Sequence, residues 1–472
     1  MAKGKTARES ATDGRFELRL IRDGQLETNS SGAADLADFV VTCNVIQSIN
    51  GAGIQAEINI MDSANLINSL VGDEIWQLIY TTQQGKIAYP LQSYSIENRS
   101  RQNSTDLYTV KCCSPEFLAN EVSNLFGSSK VVFNKQDKSH DIVERILRGK
   151  ESGTSKFMKT KKRCFIEEGD NSHEFILCNW RWFDTIYWVA QRSVRKQSGK
   201  NKDPQNGFLF FENGLGYNFV SIDKMIADIN KQEYDSETDE TSGEAKLYQY
   251  VYSPKKTGQE AADLYKINTV KYVSDRNILE GLRNGTWAGH SSALDPTVLS
   301  NSLISVESEN TANTYTYSVE ELWGKMEHLG GKSAKHDPYG KFSDQTVGLM
   351  KTPRRIRHTF LPNRVADGQD ATAAENDNKL YEQLPYLQSY QFARVQTLKT
   401  IQLLVTVPGN TDLYAGKGVD IVIPMNKVKG EKPMTDKKYS GRYLIAAVRH
   451  KWDGREMYTE MLVYKDTLPT KK

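Results

Sequence analysis

The sequence predicts an α+β, β-rich chain in which two similar β-barrel domains bracket α/β middle domains. Three observations predict it. The last eighty residues read as four strands in a row, residues 14–114 read as six or seven strands with one short helix, and helical spacing dominates the stretch that follows.

The first residues, Met1 to Gly14, are Lys, Ser, Thr and Gly with no apolar core, so residues 1–13 read as a flexible arm and not as a secretory signal. Phe16-Glu17-Leu18-Arg19-Leu20 alternates as a strand and ends at Asp23-Gly24. Phe39–Ile49 and Ile54–Met61 form a hairpin about Asn50-Gly51-Ala52-Gly53. Asp62-Ser63 caps a short amphipathic helix through Ala64, Leu66, Ile67 and Leu70. Glu74–Thr81, Lys86–Asn98 and Asp106–Cys113 complete a barrel or sandwich over residues 14–114.

Ser114-Pro115 opens a middle α/β region, 115–232, because proline suits a helix's first turn. Helical spacing recurs in Glu116–Phe126, His140–Arg148 and Trp180–Val194, and Phe208–Glu212 with Gly216–Ile222 makes a hairpin across Asn213-Gly214. Residues 233–385 read as a linking region. Glu233–Glu244 is an acidic Ser/Thr-rich loop, Lys246–Ser253 a strand, Ala262–Val273 a further piece, and 275–360 an insertion with a helical turn at Val319–His328. Asp370–Leu398 reads as a long helix, kinked or restarted at Pro385.

The second β-module, 386–467, comprises Thr400–Val407, Gly418–Pro424, Arg442–Trp452 and Arg455–Tyr464, before a short tail, 468–472. Asp453-Gly454 predicts a tight turn with both central residues at positive φ. The two β-modules share a plan of strands, an exposed loop and a closing hairpin.

The bulk numbers exclude several classes. Of 472 residues, 38% are hydrophobic and 25% charged, the balance of a folded chain on the polar side. A net charge of +2 makes no electrostatic case for specific nucleic-acid binding. No apolar run approaches the roughly 18 residues of a membrane span, so no membrane anchor is expected. Cys43, Cys112, Cys113, Cys164 and Cys178 are odd in number and lack CxxC spacing, which predicts buried thiols in a reducing compartment and no metal or cofactor.

Chemical motifs are sparse. No two of the seven histidines take a metal-site spacing, and His328, His336 and Asp337 come nearest to a cluster. Gly214-Leu215-Gly216 precedes a strand, so it reads as a turn and not a phosphate loop. The adjacent acids Glu167-Glu168 diverge on an extended segment. The basic runs Lys156–Arg163 and Arg192–Lys202 read as solvated loops, and a DNA-lined channel would also tolerate them. Trp180, Trp182, Phe183, Tyr187 and Trp188 form an aromatic block. By helical phase part of it is core, and the excess face, with Trp182 and Trp188, fits a docking surface slightly less well than it fits core. The loops Pro408–Lys417 (Asp412, Tyr414) and Asn426–Ser440 (Lys427, Lys429, Lys437) are long, polar and set between strands, so they read as partner contacts not needed for folding.

Three places resemble the baseplate central-hub proteins of contractile-tailed bacteriophages, which are related to injection-system spikes. They are Ile58-Asn59-Ile60-Met61-Asp62-Ser63 with Gly72-Asp73-Glu74-Ile75; Asn179-Trp180 through Phe183 and Val189 to Gly207-Phe208-Leu209-Phe210-Phe211 and Tyr217–Ile222; and Gly418-Val419-Asp420-Ile421-Val422-Ile423, Tyr443-Leu444-Ile445, Val448-Arg449-His450 and Tyr458-Thr459-Glu460. Residues 275–360 have no counterpart. The resemblance implies a homotrimer whose paired barrels make a pseudo-sixfold ring, with the tail tube or tube-initiator proteins on one face and the spike on the other. It further implies contacts with baseplate wedge proteins, a lumen that passes genomic DNA without specific binding, a place in the virion tail after assembly in the host cytoplasm, and no catalysis. The alternatives are a tail-associated cell-wall hydrolase or a host carbohydrate-binding module.

Overall fold

The computed structural model describes residues 14–468 except 23, 30–31, 127–131, 134–136, 150–156, 174, 198–202, 233–245, 254–262, 276, 295–313, 331–337, 361–370 and 430–431. The expected arm at 1–13 and the acidic loop Glu233–Glu244 lie outside the described residues.

The first module is built by period-two strands: β1 (Arg15–Arg22), β2 (Val40–Ser48), β3 (Gln55–Asp62), β4 (Ile75–Thr82), β5 (Gly85–Gln102) and β6 (Thr105–Cys113). In β3, Ala56, Ile58 and Ile60 point inward while Gln55, Glu57 and Met61 point out. The sheet runs β2–β3–β6–β5–β4–β1 and curls over one core in which Phe16 and Leu18 of β1 share a cluster with Cys43 and Val45 of β2. Those two strands are not paired to each other, so the module curls without closing. The expected short helix is a 3-10 turn, Leu66–Ser69, and Asp62 holds its entry by accepting from the amides of Ala64 (2.9 Å) and Ile67 (2.8 Å).

The middle region packs α1 (Pro115–Glu121), α2 (Ser139–Arg148) and α3 (Trp182–Arg192) about a small sheet of β7 (Cys164–Ile166), β8 (Phe208–Asn213) and β9 (Gly216–Ser221). Ile142, Ile146, Phe183, Ile186 and Phe210 form its core. The helix expected to run to Phe126 stops at Glu121, and Leu125–Phe126 instead pairs with Cys178–Trp180. An unexpected helix, α4 (Ile222–Lys231), follows β9; Ser221 caps it by accepting from Lys224 N, and Ile222, Met225, Ile226 and Ile229 are its buried stripe.

Beyond it come β10 (Tyr248–Tyr252), β11 (Lys266–Ile267), β12 (Thr269–Asp275) and a small body. That body comprises α5 (Ile278–Asn284), β13 (Ala288–Leu294), β14 (Thr314–Ser318), α6 (Val319–Trp323), α7 (Asp344–Met350) and β15 (Ile356–Phe360). Its sheet, β14–β13–β15, packs on α8 (Ala371–Leu398), where Ser389 Oγ donates to Ser291 Oγ at 2.8 Å. Helix α8 is one uninterrupted element through Pro385, not two.

The second module adds β16 (Ile401–Pro408), β17 (Gly418–Val422), the hairpin β18 (Pro424–Lys429) and β19 (Lys432–Thr435), β20 (Gly441–Trp452) and β21 (Met457–Lys465). Its sheet is ordered β11–β10–β17–β20–β21–β16–β12, so both ends meet in one chain segment, Lys266–Asp275, and not in a strand-to-strand ladder. The turn at Asp453-Gly454 also differs from expectation. Trp452 pairs with Met457, leaving a four-residue loop in which only Gly454 has positive φ (+86°), and Asp453 Oδ1 closes it by accepting from Glu456 N at 2.9 Å.

The two modules are not separate sheets. Strand β20 pairs with β17 through Gly441–Leu444 and with β2 from Ala447↔Ser48 to Trp452↔Cys43. One strand therefore belongs to both, and the sheet is largely antiparallel and continuous across the two modules.

Candidate functional site

The loop after β16 is the first expected contact surface, and its geometry differs from that of a spare loop. Asn410 Nδ2 donates to Tyr250 Oη at 2.8 Å, and Tyr248 Oη donates to Asp412 Oδ2 at 2.8 Å. Thr411 Oγ1 lies 2.9 Å from Thr82 Oγ1 of the first module, and Asn213 Nδ2 donates to Ala415 O at 2.9 Å. Leu413, Tyr414 and Ala415 are buried. Burial pushes the Asp412 carboxyl upward, against the Tyr248 hydrogen bond that lowers it. The segment 409–417 thus ties both modules to the β8–β9 hairpin, and its polar residues are spent inside the chain.

The β18–β19 hairpin is a different object. Among the described residues it pairs only with itself, carries the backbone of Lys427 and Lys429, and shows Met425 (38%) and Met434 (43%) to solvent, with Lys437 exposed beyond it. Its base is pinned. Asp436 N donates to Ile423 O at 2.8 Å, Ile423 N donates to Ser440 Oγ at 2.9 Å, and Lys465 Nζ donates to Ser440 O at 2.6 Å.

Trp182 and Trp188 are half-buried against the middle core. Trp188 packs on Phe175 (4.5 Å between centroids) and Trp180 (5.9 Å), and the Arg192 guanidinium lies 4.1 Å from its ring. Most of the aromatic block is therefore engaged by its own chain.

The chemical motifs are separated or buried. Glu167 pairs with Arg195 at 2.9 Å and Glu168 with Lys196 at 2.6 Å, so the adjacent acids do diverge. Two acids that sequence spacing did not flag, Glu116 and Glu212, converge on Lys162 Nζ, each at 2.6 Å. Glu212 is 1% exposed and also accepts from Ser114 Oγ at 2.6 Å, so this triad joins the first module to the middle region. Ser139 Oγ lies 2.9 Å from His173 Nε2, and Ser139 is fully buried at the start of α2. Cys164 Sγ faces Lys162 O at 3.6 Å. Cys43, Cys112 and Cys113 are buried free thiols, and burial raises Cys43 to about 12; the Cys178 side chain lies outside the described residues. His328 faces Asp466 Oδ2 at 3.0 Å, whereas His336 and Asp337 lie outside the described residues. Among the described residues no group of three metal-ligating side chains converges, and no helix is long and apolar enough to cross a membrane.

No family model and no curated protein matches the chain. Solved structures do. The 43 kDa tail protein of prophage MuSo2 from Shewanella oneidensis superposes over 96% of this chain and 99% of its own, with a TM-score of 0.51 at 9% identity. The chain has the fold of a phage tail protein. A tail protein from Neisseria meningitidis MC58 aligns over 96% of both chains with a TM-score of 0.47 at 9% identity. A chain of the Francisella PdpA-VgrG complex aligns over 97% of this chain and 53% of its own, with a TM-score of 0.43 at 9% identity.

Proposed function

We propose that the chain is a structural hub of a phage-type tail baseplate, acting without catalysis. The observation that carries this reading is the fold shared with a phage tail protein along 96% of the chain. In it, three subunits form a ring in which each contributes two barrel-like modules, giving six near-equivalent positions from threefold symmetry. One face continues a sixfold tail tube and the other seats a cell-puncturing spike, while DNA passes through the lumen without specific binding. Strand β20, shared between the modules, supports the reading, because a rigid joint fixes their spacing within each subunit.

The working division is 14–114, 115–232, 233–385 and 386–467. Partner contacts fall to the β18–β19 hairpin with Lys427, Lys429 and Lys437, and to the exposed edges of Trp182 and Trp188. Asp412 and Tyr414, on the loop before β17, are further candidate contacts. Baseplate wedge proteins are further partners, and the virion tail is the location.

The test is solution mass by light scattering, alone and with the cognate spike protein. A trimer, or a monomer that becomes a three-to-three complex with the spike, supports the hub. A persistent monomer indifferent to the spike overturns it.

A further inference from the structure

A groove between the small body and the root of the second module has no part in that reading. Its volume is about 340 Å³, and it is walled by α5, the loop after it, the end of α8 and the start of β16. Clefts of this size at the meeting of two packed bodies are common ligand sites. This one is lined mostly by uncharged polar groups, and its two charged side chains, Glu280 and Lys399, are opposite in sign. The lining therefore offers little to attract an ion of either charge.

Two indoles contribute to the wall. Trp323 stacks on His328 at 4.1 Å between centroids and 25° between planes. Trp287 lies against Gly281, where an added Cβ would stand 2.3 Å from its ring carbons, so only glycine lets the indole settle there. Some of the amides are already used: Asn277 Oδ1 accepts from Glu280 N at 3.1 Å, and Gln402 Nε2 donates to Lys399 O at 3.3 Å. Among the described residues, the side chains of Asn284, Thr286 and Gln396 have no hydrogen-bond partner.

We propose that this groove binds a neutral carbohydrate of about disaccharide size. A side-chain amide presents a donor and an acceptor together, which matches neighbouring hydroxyls on a sugar ring. An indole offers an apolar face to the ring's C–H surface. The free groups at Asn284, Thr286 and Gln396 supply the polar half of that recognition and the half-buried Trp287 in the wall the apolar half, whereas an ionic ligand would call for a net charge.

The experiment is saturation-transfer NMR on the full chain with maltose, lactose and N,N′-diacetylchitobiose as probes. The expected result is transfer to the ring protons of at least one sugar. An Asn284→Ala/Gln396→Ala double variant should weaken it about tenfold or more, as loss of two hydrogen bonds of about 1 kcal/mol each implies. Asn284 is exposed and Gln396 half-exposed, and unchanged circular dichroism checks that the variant folds. No transfer from any of the three sugars overturns the proposal, and so does transfer undiminished in the folded double variant. Neither outcome bears on the solution mass that tests the hub.

Discussion

Arg394 Nε lies 3.2 Å from Asp223 Oδ1, and both side chains are fully buried. The same guanidinium reaches Asp466 Oδ2 at 3.3 Å and donates to Glu327 O at 2.8 Å, while Tyr390 Oη donates to Asp223 Oδ2 at 2.8 Å. One cation thus locks α4, α8, the chain end after β21 and the segment after α6. Burial alone would raise the Asp466 carboxyl, but the His328 hydrogen bond and the charges of Arg394 and His328 hold it below the ordinary carboxylate range. Removing the cation strands two buried acids. Arg394→Met is expected to cost about 3–5 kcal/mol of stability, read as a lower urea midpoint. A midpoint within error of the parent would show that the network adds nothing.

A second prediction concerns acid. Burial and the Arg192 charge push His173 down to about 4, and burial pushes His450 to about 4 against a hydrogen bond to the Leu413 backbone that raises it. An unfolded histidine takes its proton near pH 6.5. Between 6.5 and 4 the unfolded chain therefore binds more protons. The stabilisation is complete above 6.5 and is lost as pH falls through that window, by up to about 3 kcal/mol for each group. In His450→Gln, the stability difference from the parent should shrink between pH 7 and pH 4.5. A difference independent of pH would refute the assignment.

Gly216 supplies a backbone test. Its φ is +139°, and a Cβ there would stand 2.2 Å from the Arg163 carbonyl oxygen, which accepts from Tyr217 N at 2.9 Å. That oxygen is backbone beside the parallel β7–β9 pairing, so it has little room to yield. Gly216→Ala is expected to destabilise by about 3 kcal/mol, visible as a lower melting temperature. Gly51→Ala, where nothing lies within 4 Å of the added carbon, is the control.

How legible the chain was follows from where its determinants lie. Strands such as β3 and β21 alternate cleanly because one face meets a core, and period two is local information. The stripe of α4 was equally local, at Ile222, Met225, Ile226 and Ile229 behind Ser221, although the expected strand Gly216–Ile222 claimed its first residue and nothing was assigned to the rest. The continuous sheet was not legible. Pairing of His450 with Val45 joins residues 405 positions apart, and nothing in either strand names its partner. The 409–417 loop misled for a related reason. Asn410, Thr411 and Asp412 look like solvent-seeking residues, and only the fold brings Tyr250, Thr82 and Tyr248 to meet them. The convergence of Glu116, Lys162 and Glu212 is likewise tertiary.

The β18–β19 hairpin carries the last prediction. A loop that folding needs is tied along its length, as 409–417 is. Among the described residues this hairpin is tied at its foot, through Asp436, Ser440 and Lys465, and it exposes Met425 and Met434 to solvent. Removing Val428–Lys437 takes away Lys429, Lys437 and the outer rungs of the hairpin, together with the Asp436 tie. The Ile423–Ser440 and Lys465–Ser440 hydrogen bonds have all their atoms outside the deleted segment. The shortened chain should keep its circular dichroism spectrum and melt within a few degrees of the parent. If the hairpin is a contact arm, the same protein should show a lower mass by light scattering, or fail to take up the spike. A chain that no longer folds would place the hairpin among the structural elements. A folded chain that assembles as the parent does would move the contact elsewhere, with the edges of Trp182 and Trp188 the next surface to probe.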